Sequence, residues 1–311
     1  GSRKSLGFKI DPGKLPALNQ PRLERARDPE IYAPPVLILP VSVQYNRDKG
    51  VGLISWKRVA YSESFFGYST ARCPGSNARD LTHYLHVLTA SSLFIYHALM
   101  TSAQFGVERD TLQKEDADSF PIVPLEWLNP KQIEAVRKLS ADIESGRCPW
   151  AEVDTCVAEI YTLNASDRKL ITDTLSVSLT YSDRRGAAEN PPTADQIQAF
   201  ATELEAQLRP HFDMVNAPIR VAPIVGKGSA WSFVDVTCDQ RAPTPWLHDW
   251  IVALGQRSGS TQIFAEVGPQ HLGLAMLSQY RYWTPSRARR CARAIISEHS
   301  NHLLRDVEDD L

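Results

Sequence analysis

The chain has 311 residues, of which 43% are hydrophobic and 23% are charged. A chain of this length and composition can bury a full core, which excludes a disordered polypeptide and predicts about two domains. The formal net charge of −2 excludes a uniformly basic nucleic-acid-binding chain but permits basic patches. Five scattered cysteines, an odd number, exclude a disulfide framework and indicate a reducing, cytoplasmic environment.

The first part of the chain is predicted to be loop and strand. Seven prolines between Pro12 and Pro40 disfavour helix, and the apolar run Val36–Val43 has the length of a strand. Residues 51–71 supply two more strands. The basic side chains of this half could contact DNA phosphates and base edges, or could form an ordinary solvated surface; they are Arg22, Arg25, Arg27, Lys57, Arg58, Arg72 and Arg79.

A helix is predicted from Asp80 to about Gly106. Apolar residues recur there at spacings of three and four and should form one buried face: Leu81, Tyr84, Leu85, Leu88, Ile95, Ala98 and Leu99. The absence of charge between residues 81 and 107 would permit a membrane span. Three histidines and several hydroxyls in that stretch favour a buried globular helix instead. His83 and His86 could share a metal ion, but no acidic partner completes a site, and packed histidines are favoured.

Helices follow the extended segment Phe120–Pro124. The first begins at Asn129-Pro130 and runs to about Ser145, the second covers about Trp150–Leu163, and Asn164 or Ser166 caps a third. The polar, proline-containing stretch 182–193 is predicted to be a linker. Its Asn190-Pro-Pro-Thr193 resembles the amine-holding motif of amino-methyltransferases, but Thr replaces the aromatic that would stack on a base, so no catalytic role is assigned.

The last part is predicted to be an α+β domain. A helix at 194–208 precedes strands at 219–225, 230–237 and 261–267, a Gly226-Lys-Gly228 hairpin turn and a helix near 245–254. Thr284 caps a final helix whose buried face contains Ala288, Cys291, Ala292, Ile295, His299 and Leu303. Asp235, Asp239 and Glu266 lack the lysine of a nuclease site. A second basic patch either contacts the DNA backbone or forms a solvated helix face; it comprises Arg281, Arg287, Arg290 and Arg293.

Three segments, in order, resemble the recognition region of type I and type IIG adenine-specific DNA methyltransferases. They are RDPEIYAPPVLI (27–38), SSLFIYH with FGVERDTLQKEDADSFPIVP (91–124), and VAEIYTLNASDRKLITDTL (157–175). The final RYWTPSRARRCAR (281–293) resembles segments that follow methyltransferases in some bacterial defence systems. The resemblance implies a mixed β-sheet recognition domain with a supporting helix (1–128), a helical spacer (129–182) and a small α+β domain (194–311).

The resemblance further implies a non-catalytic DNA-recognition module that partners double-stranded DNA and a methyltransferase catalytic domain or other restriction-modification subunits. S-adenosylmethionine is expected in that catalytic domain, and no cofactor, metal or membrane is expected for this chain. The leading Gly-Ser resembles a cloning scar, so a fragment is expected. The alternative is a protein–protein assembly module of a defence complex. A basic cleft beside Tyr68 and Arg72 would favour DNA, whereas an apolar patch on the spacer helices would favour assembly.

Overall fold

The computed structural model describes residues 8–11, 13, 15, 28–41, 47–49, 51–73, 77–102, 111–178, 185–224, 230–238, 259–268 and 270–305. The chain divides into two compact units, residues 1–171 and 172–311. Each unit combines helices with an antiparallel sheet, so the predicted α+β class is confirmed. No helix in the described ranges is long and apolar enough to cross a bilayer.

The first unit is built on a three-stranded sheet in the order β2-β1-β3. Its strands are β1 (Val36–Pro40), β2 (Leu53–Ser55) and β3 (Phe65–Ser69). The sequence predicts a mixed sheet, but β1 pairs antiparallel with both neighbours. Residues 36–39 of β1 are buried, which explains why the strand is continuously apolar rather than alternating.

The connection between β2 and β3 crosses the sheet. Because both strands run antiparallel to β1, residues 56–64 must return from one end of the sheet to the other. Tyr61 of this crossover lies against Gly67 of β3, where a Cβ atom would overlap the Tyr61 ring. Tyr61 also donates a hydrogen bond to the carbonyl of Ile31 and packs on Tyr32, with ring centres 5.1 Å apart. Glycine at position 67 therefore makes room for the crossover.

The single helix predicted from Asp80 is wrong, because the chain forms two helices, α1 (Asn77–Thr89) and α2 (Ser92–Thr101). Ser91 is extended and its Oγ accepts the backbone N–H of Phe94, so it caps α2. The Asp154 carboxylate accepts hydrogen bonds from the backbone N–H and the hydroxyl of Ser92, at 2.7 and 2.8 Å. The break between α1 and α2 is thus stabilised by a residue of another helix.

The buried face of these helices differs from the predicted one. Leu81, Leu85 and Leu99 are only half-buried. The buried positions include predicted residues and polar ones that periodicity did not indicate; they are Asp80, Thr82, Tyr84, His86, Val87, Leu88, Phe94, Ile95 and Ala98. A polar network accounts for the buried histidine and threonine, as described below.

The remaining helices of the first unit follow the local signals. After the short α3 (Lys114–Asp118) come α4 (Pro130–Glu144), α5 (Trp150–Ile160) and α6 (Ala165–Asp173). Asn129 caps α4 through a reciprocal pair with Gln132, which confirms the predicted helix start. Asn164, rather than Ser166, accepts the N–H of Asp167 at the start of α6. The predicted extended segment 120–124 contains no helix or strand.

The second unit has a four-stranded sheet in the order β4-β5-β7-β6. Its strands are β4 (Arg220–Ile224), β5 (Trp231–Thr237), β6 (Gln262–Gly268) and β7 (His271–Leu277). The helices are α7 (Arg185–Glu189), α8 (Ala194–Asp213), α9 (Pro285–Ala294) and α10 (Ser300–Leu304). Buried side chains of α8 and α9 form one core with one face of the sheet.

Two predictions for this unit need correction. The strand β7 was not predicted, since Leu, Ala, Met and Gly give it weak strand propensity. Within the stretch predicted as a linker, residues 185–189 are helical, Ala188 is fully buried, and the carbonyl of Asn190 accepts the Tyr280 N–H at 2.8 Å. The predicted cap at Thr284 is confirmed, and His299 of the predicted buried face is half-buried. The turn at 226–228 and the helix at 245–254 lie outside the described residues.

Candidate nucleic-acid interface

Predicted DNA-binding residues of the first unit meet at one end of its sheet. Val36, the first residue of β1, lies between Ser55 of β2 and Ser69 of β3. The chain segments that follow Ser55 and Ser69 therefore leave the same end of the sheet, about 10 Å apart across two strand spacings. One segment carries Lys57 and Arg58, and the other carries Arg72.

The start of α1 is held at this same end. The Thr70 hydroxyl, directly after β3, lies 2.8 Å from the carbonyl of Ala78 and 2.7 Å from the Thr82 hydroxyl. Arg79 follows Ala78, so its side chain begins beside the loop that carries Arg72. The four predicted residues that the structure describes in this unit are thus brought together, although they span more than twenty positions in sequence.

These four basic side chains differ in their partners. Lys57, Arg58, Arg72 and Arg79 are all exposed. Arg72 forms an ion pair with Glu30, and both side chains are more than half exposed. Exposed pairs of this kind contribute little stability and exchange easily for another anion. The guanidinium of Arg79 lies 5.6 Å from the ring centre of Trp56.

Trp56 is an aromatic residue that lies beside these cations. It is 39% exposed and directly precedes Lys57. Its ring centre lies 5.1 Å from that of His83, with the planes tilted by 52°. Burial raises the pKa of the Glu144 carboxyl, and the neighbouring Trp56 side chain lowers it. Side chains from α1 and α4 therefore pack around the indole.

A buried polar network lies beneath this surface. Nε2 of His86 lies 2.9 Å from the carbonyl of Gly52, which can only accept, so Nε2 carries the proton. Nδ1 of His86 and Nδ1 of His83 lie 2.9 and 2.8 Å from the Ser140 Oγ. With neutral His86, Ser140 donates to His86 and accepts from His83. Burial lowers the pKa of His86 to about 4, which keeps it neutral near pH 7.

This network determines what the two histidines can do. The Nδ1 atoms of His83 and His86 both hydrogen-bond to Ser140, and Nε2 of His86 hydrogen-bonds to the carbonyl of Gly52. The two histidines therefore connect α1 to α4 and to the residue before β2. Desolvation lowers the pKa of His83, Asp80 raises it, and the cations Arg137 and Arg79 lower it. Within the described ranges, no group of three or more His, Cys, Asp or Glu side chains is arranged to hold a metal ion.

A bidentate ion pair supports the first turn of α1. Nε and Nη2 of Arg137 donate to the two oxygens of Asp80, at 2.6 and 2.7 Å. The guanidinium of Arg137 holds the pKa of the Asp80 carboxyl below its usual range. Arg137 is 54% exposed, whereas Asp80 is 12% exposed. The pair neutralises a carboxylate that would otherwise repel an anion near Arg79.

The sequence also predicts a basic cleft beside Tyr68 and Arg72. In the structure, Tyr68 contacts both an acidic and a basic side chain of α3. The Tyr68 hydroxyl donates to Asp118 at 2.9 Å, and Lys114 lies 5.4 Å from the Tyr68 ring while pairing with Asp118. Burial raises the pKa of Tyr68. These contacts attach α3 to β3. Arg22, Arg25 and Arg27 lie outside the described residues, so their placement stays a prediction.

The second predicted basic patch lies in the other unit. Two of its arginines are half-buried and two are exposed. Arg281 and Arg287 lie 4.8 and 6.0 Å from the ring centre of Tyr282 and donate to Gln279 and Gln262. Both arginines are half-buried, whereas Arg290 and Arg293 of α9 are exposed. A phosphate contact from this patch stays a prediction.

Comparison with known proteins adds no relative. The chain matches no protein-family model, no curated protein and no solved structure.

Two acidic candidates of the second unit, Asp235 and Glu266, are described by the structure, whereas Asp239 lies outside the described residues. Asp235 is fully buried beside His271, with 3.2 Å between Oδ2 and Nδ1, and burial raises its pKa. Its neighbours Val234 and Val236 belong to the helix-covered core, so by strand alternation Asp235 faces the other side of the sheet. Glu266 lies two residues from Phe264, which packs on the helix-covered core, and contacts His299 and His302. The two carboxylates face opposite sides of the sheet.

The tetrapeptide that resembles a methyltransferase motif forms a helix cap. The Thr193 side chain accepts the N–H of Gln196, and the Gln196 side chain accepts the N–H of Thr193.

Sequence reasoning did not single out Trp56, Glu144 or Ser140. A signal was present for Trp56, because Ser-Trp-Lys-Arg places an aromatic residue directly before two cations, and proteins that bind single-stranded nucleic acids combine these residue types. Glu144 and Ser140 lie more than fifty residues away from their partners, so no local pattern indicates them.

Proposed function

We propose that this chain is a DNA-recognition module of an adenine-specific DNA methyltransferase or restriction-modification protein and is itself non-catalytic. Double-stranded DNA is the proposed ligand, and the cytoplasm is the proposed location. The methyl-transfer chemistry, with S-adenosylmethionine, would belong to a methyltransferase catalytic domain with which this module acts.

One observation carries the proposal. Lys57, Arg58, Arg72 and Arg79 meet at one end of the three-stranded sheet, on segments that leave β2, leave β3 and start α1. Cations on loops that share one end of a rigid sheet can contact several phosphates of one duplex without moving the core. The ordered resemblance to methyltransferase recognition regions supports the same function.

The experiment measures binding of a labelled duplex by the full chain across a range of salt concentrations. Counterion release predicts that affinity falls as salt rises. Replacing both Arg72 and Arg79 by Ala should weaken binding and reduce the salt slope by about one unit per lost phosphate contact. Stability should change by less than about 0.5 kcal/mol per site, since both side chains are exposed.

A matched control separates this surface from general charge. Lys131 is also exposed but lies near the start of α4, about 20 Å along the helix from Glu144, which contacts Trp56. Lys131→Ala should leave affinity and salt slope unchanged, whereas Lys57→Ala should reduce both. The proposal is overturned if the wild-type chain binds no duplex at low salt. A normally folded Arg72→Ala, Arg79→Ala variant with unchanged affinity and salt slope would remove this surface from the binding site.

Protein–protein assembly within a defence complex is the second candidate, and exposed apolar side chains favour it. Trp127 is 75% exposed and Ile122 is 49% exposed, both just before the spacer helix α4, and Leu170 of α6 is 42% exposed. Large exposed aromatics are typical of protein interfaces. If assembly is the function, Trp127→Ser should abolish co-sedimentation with a methyltransferase subunit while leaving DNA binding unchanged.

A further inference from the structure

The indole of Trp56 is partly exposed to solvent, unlike the core side chains next to it. It is 39% exposed, whereas Tyr84 and Leu88 of the neighbouring α1 are at most 1% exposed. Its sequence neighbours Lys57 and Arg58 are exposed, and Arg79 lies over the ring at 5.6 Å. An aromatic surface is thus presented among cations that can hold a polyanion.

The ring is also held in position before any ligand arrives. The Trp56 ring contacts His83, and the Glu144 carboxyl lies beside the Trp56 side chain. His83 is in turn fixed by Ser140, and Ser55 Oγ donates to the carbonyl of Lys57 at 2.7 Å, which fixes the turn that carries the indole. A preorganised aromatic loses little entropy when a flat group packs on it.

We propose that Trp56 stacks on an unpaired nucleotide base. This inference rests on the proposed function and specifies which DNA the surface prefers. A base inside a paired duplex is covered on both faces by its neighbours, so an indole can stack only on a base that has left the duplex stack. Lys57, Arg58 and Arg79 then contact the phosphates that flank that base. Stacking tolerates any base, because every base presents a flat face.

The test compares two short duplexes of the same sequence, one fully paired and one with a single unpaired thymidine. The wild-type chain should bind the duplex with the unpaired base more tightly. Trp56→Ala should weaken binding to that duplex by roughly 5- to 150-fold, the range expected for one stacked base, and should weaken binding to the paired duplex by a clearly smaller factor. Trp56→Phe, which retains a flat ring, should keep most of the preference.

A second variant separates stacking from charge. Lys57→Ala should weaken binding to both duplexes by the same factor and keep the preference, since a phosphate contact does not distinguish them. Tryptophan fluorescence gives an independent readout: the unpaired thymidine should quench the wild-type chain more strongly than the Trp56→Phe variant. Circular dichroism of Trp56→Ala checks that the variant is folded.

The possible outcomes are distinct. Equal affinity of the wild-type chain for both duplexes, or a preference that survives Trp56→Ala, overturns the stacking role and leaves the proposed DNA-recognition function standing. No binding of either duplex at low salt overturns both. A preference that disappears in Trp56→Ala and persists in Trp56→Phe, in folded variants, supports the stacking role.

Discussion

The buried histidine His86 should make the first unit sensitive to acid. Its side chain is fully buried, its Nε2 donates to Gly52, and its Nδ1 accepts from Ser140. Burial lowers its pKa from 6.5 to about 4 in the folded chain. Below pH 6.5, His86 is therefore protonated in the unfolded chain but stays neutral in the folded chain. The free energy of unfolding decreases for this reason as the pH falls toward 4. Linkage gives a loss of about 2 kcal/mol between pH 7 and 5 and about 3 kcal/mol by pH 4.

Hydrogen exchange of peptides covering β1 and α1 measures this loss at pH 7, 6 and 5, after correction for the intrinsic exchange rate. His86→Gln is the matched variant, because its amide can still donate to Gly52 but does not titrate. The variant should be less stable at pH 7 and should lose about 2 kcal/mol less than the wild-type chain on acidification to pH 5. An identical pH dependence in the two chains would refute the assignment of a neutral, buried His86.

Three further predictions concern stability, measured by urea denaturation. Leu88→Ala should cost roughly 2–5 kcal/mol, because Leu88 is only 1% exposed; a cost below about 1 kcal/mol would contradict its core position. Asp154→Ala should cost about 3–5 kcal/mol, since it leaves Arg47, which is 16% exposed, without its bidentate carboxylate and removes both bonds to Ser92; Asp154→Asn should cost less. Gly67→Ala should cost about 1–3 kcal/mol by displacing Tyr61, and the cost should shrink in a Tyr61→Ala background.

Elements specified by neighbouring residues were predictable from the sequence, and those specified by distant residues were not. The caps at Asn129 and Thr284 and the apolar strand β1 are local signals, and each has its predicted place. The break before α2 depends on Asp154, which is 62 positions away from Ser92. The periodicity of apolar residues therefore predicts one continuous helix through Ser91, where the structure has two.

The candidate site divides in the same way. The basic residues were visible as residue types, but their convergence requires the register that places Ser55 and Ser69 on either side of Val36. The orientation of Trp56 depends on Glu144 and His83, which no spacing rule connects to it. The spacing of His83 and His86 would permit a metal site. In the structure both histidines instead hydrogen-bond to Ser140, a contact that the sequence does not indicate.

The crossover between β2 and β3 can change its length without disturbing the sheet. Residues 56–64 must span the sheet but form no strand, so their number is not fixed by pairing register. Doubling the length of a flexible loop costs only about 0.6 kcal/mol. Tyr61 holds the second half of the crossover against Gly67, whereas Trp56, Lys57 and Arg58 occupy its beginning. Residues inserted between Arg58 and Tyr61 would therefore enlarge the basic surface that carries Trp56 while β1, β2 and β3 keep their partners.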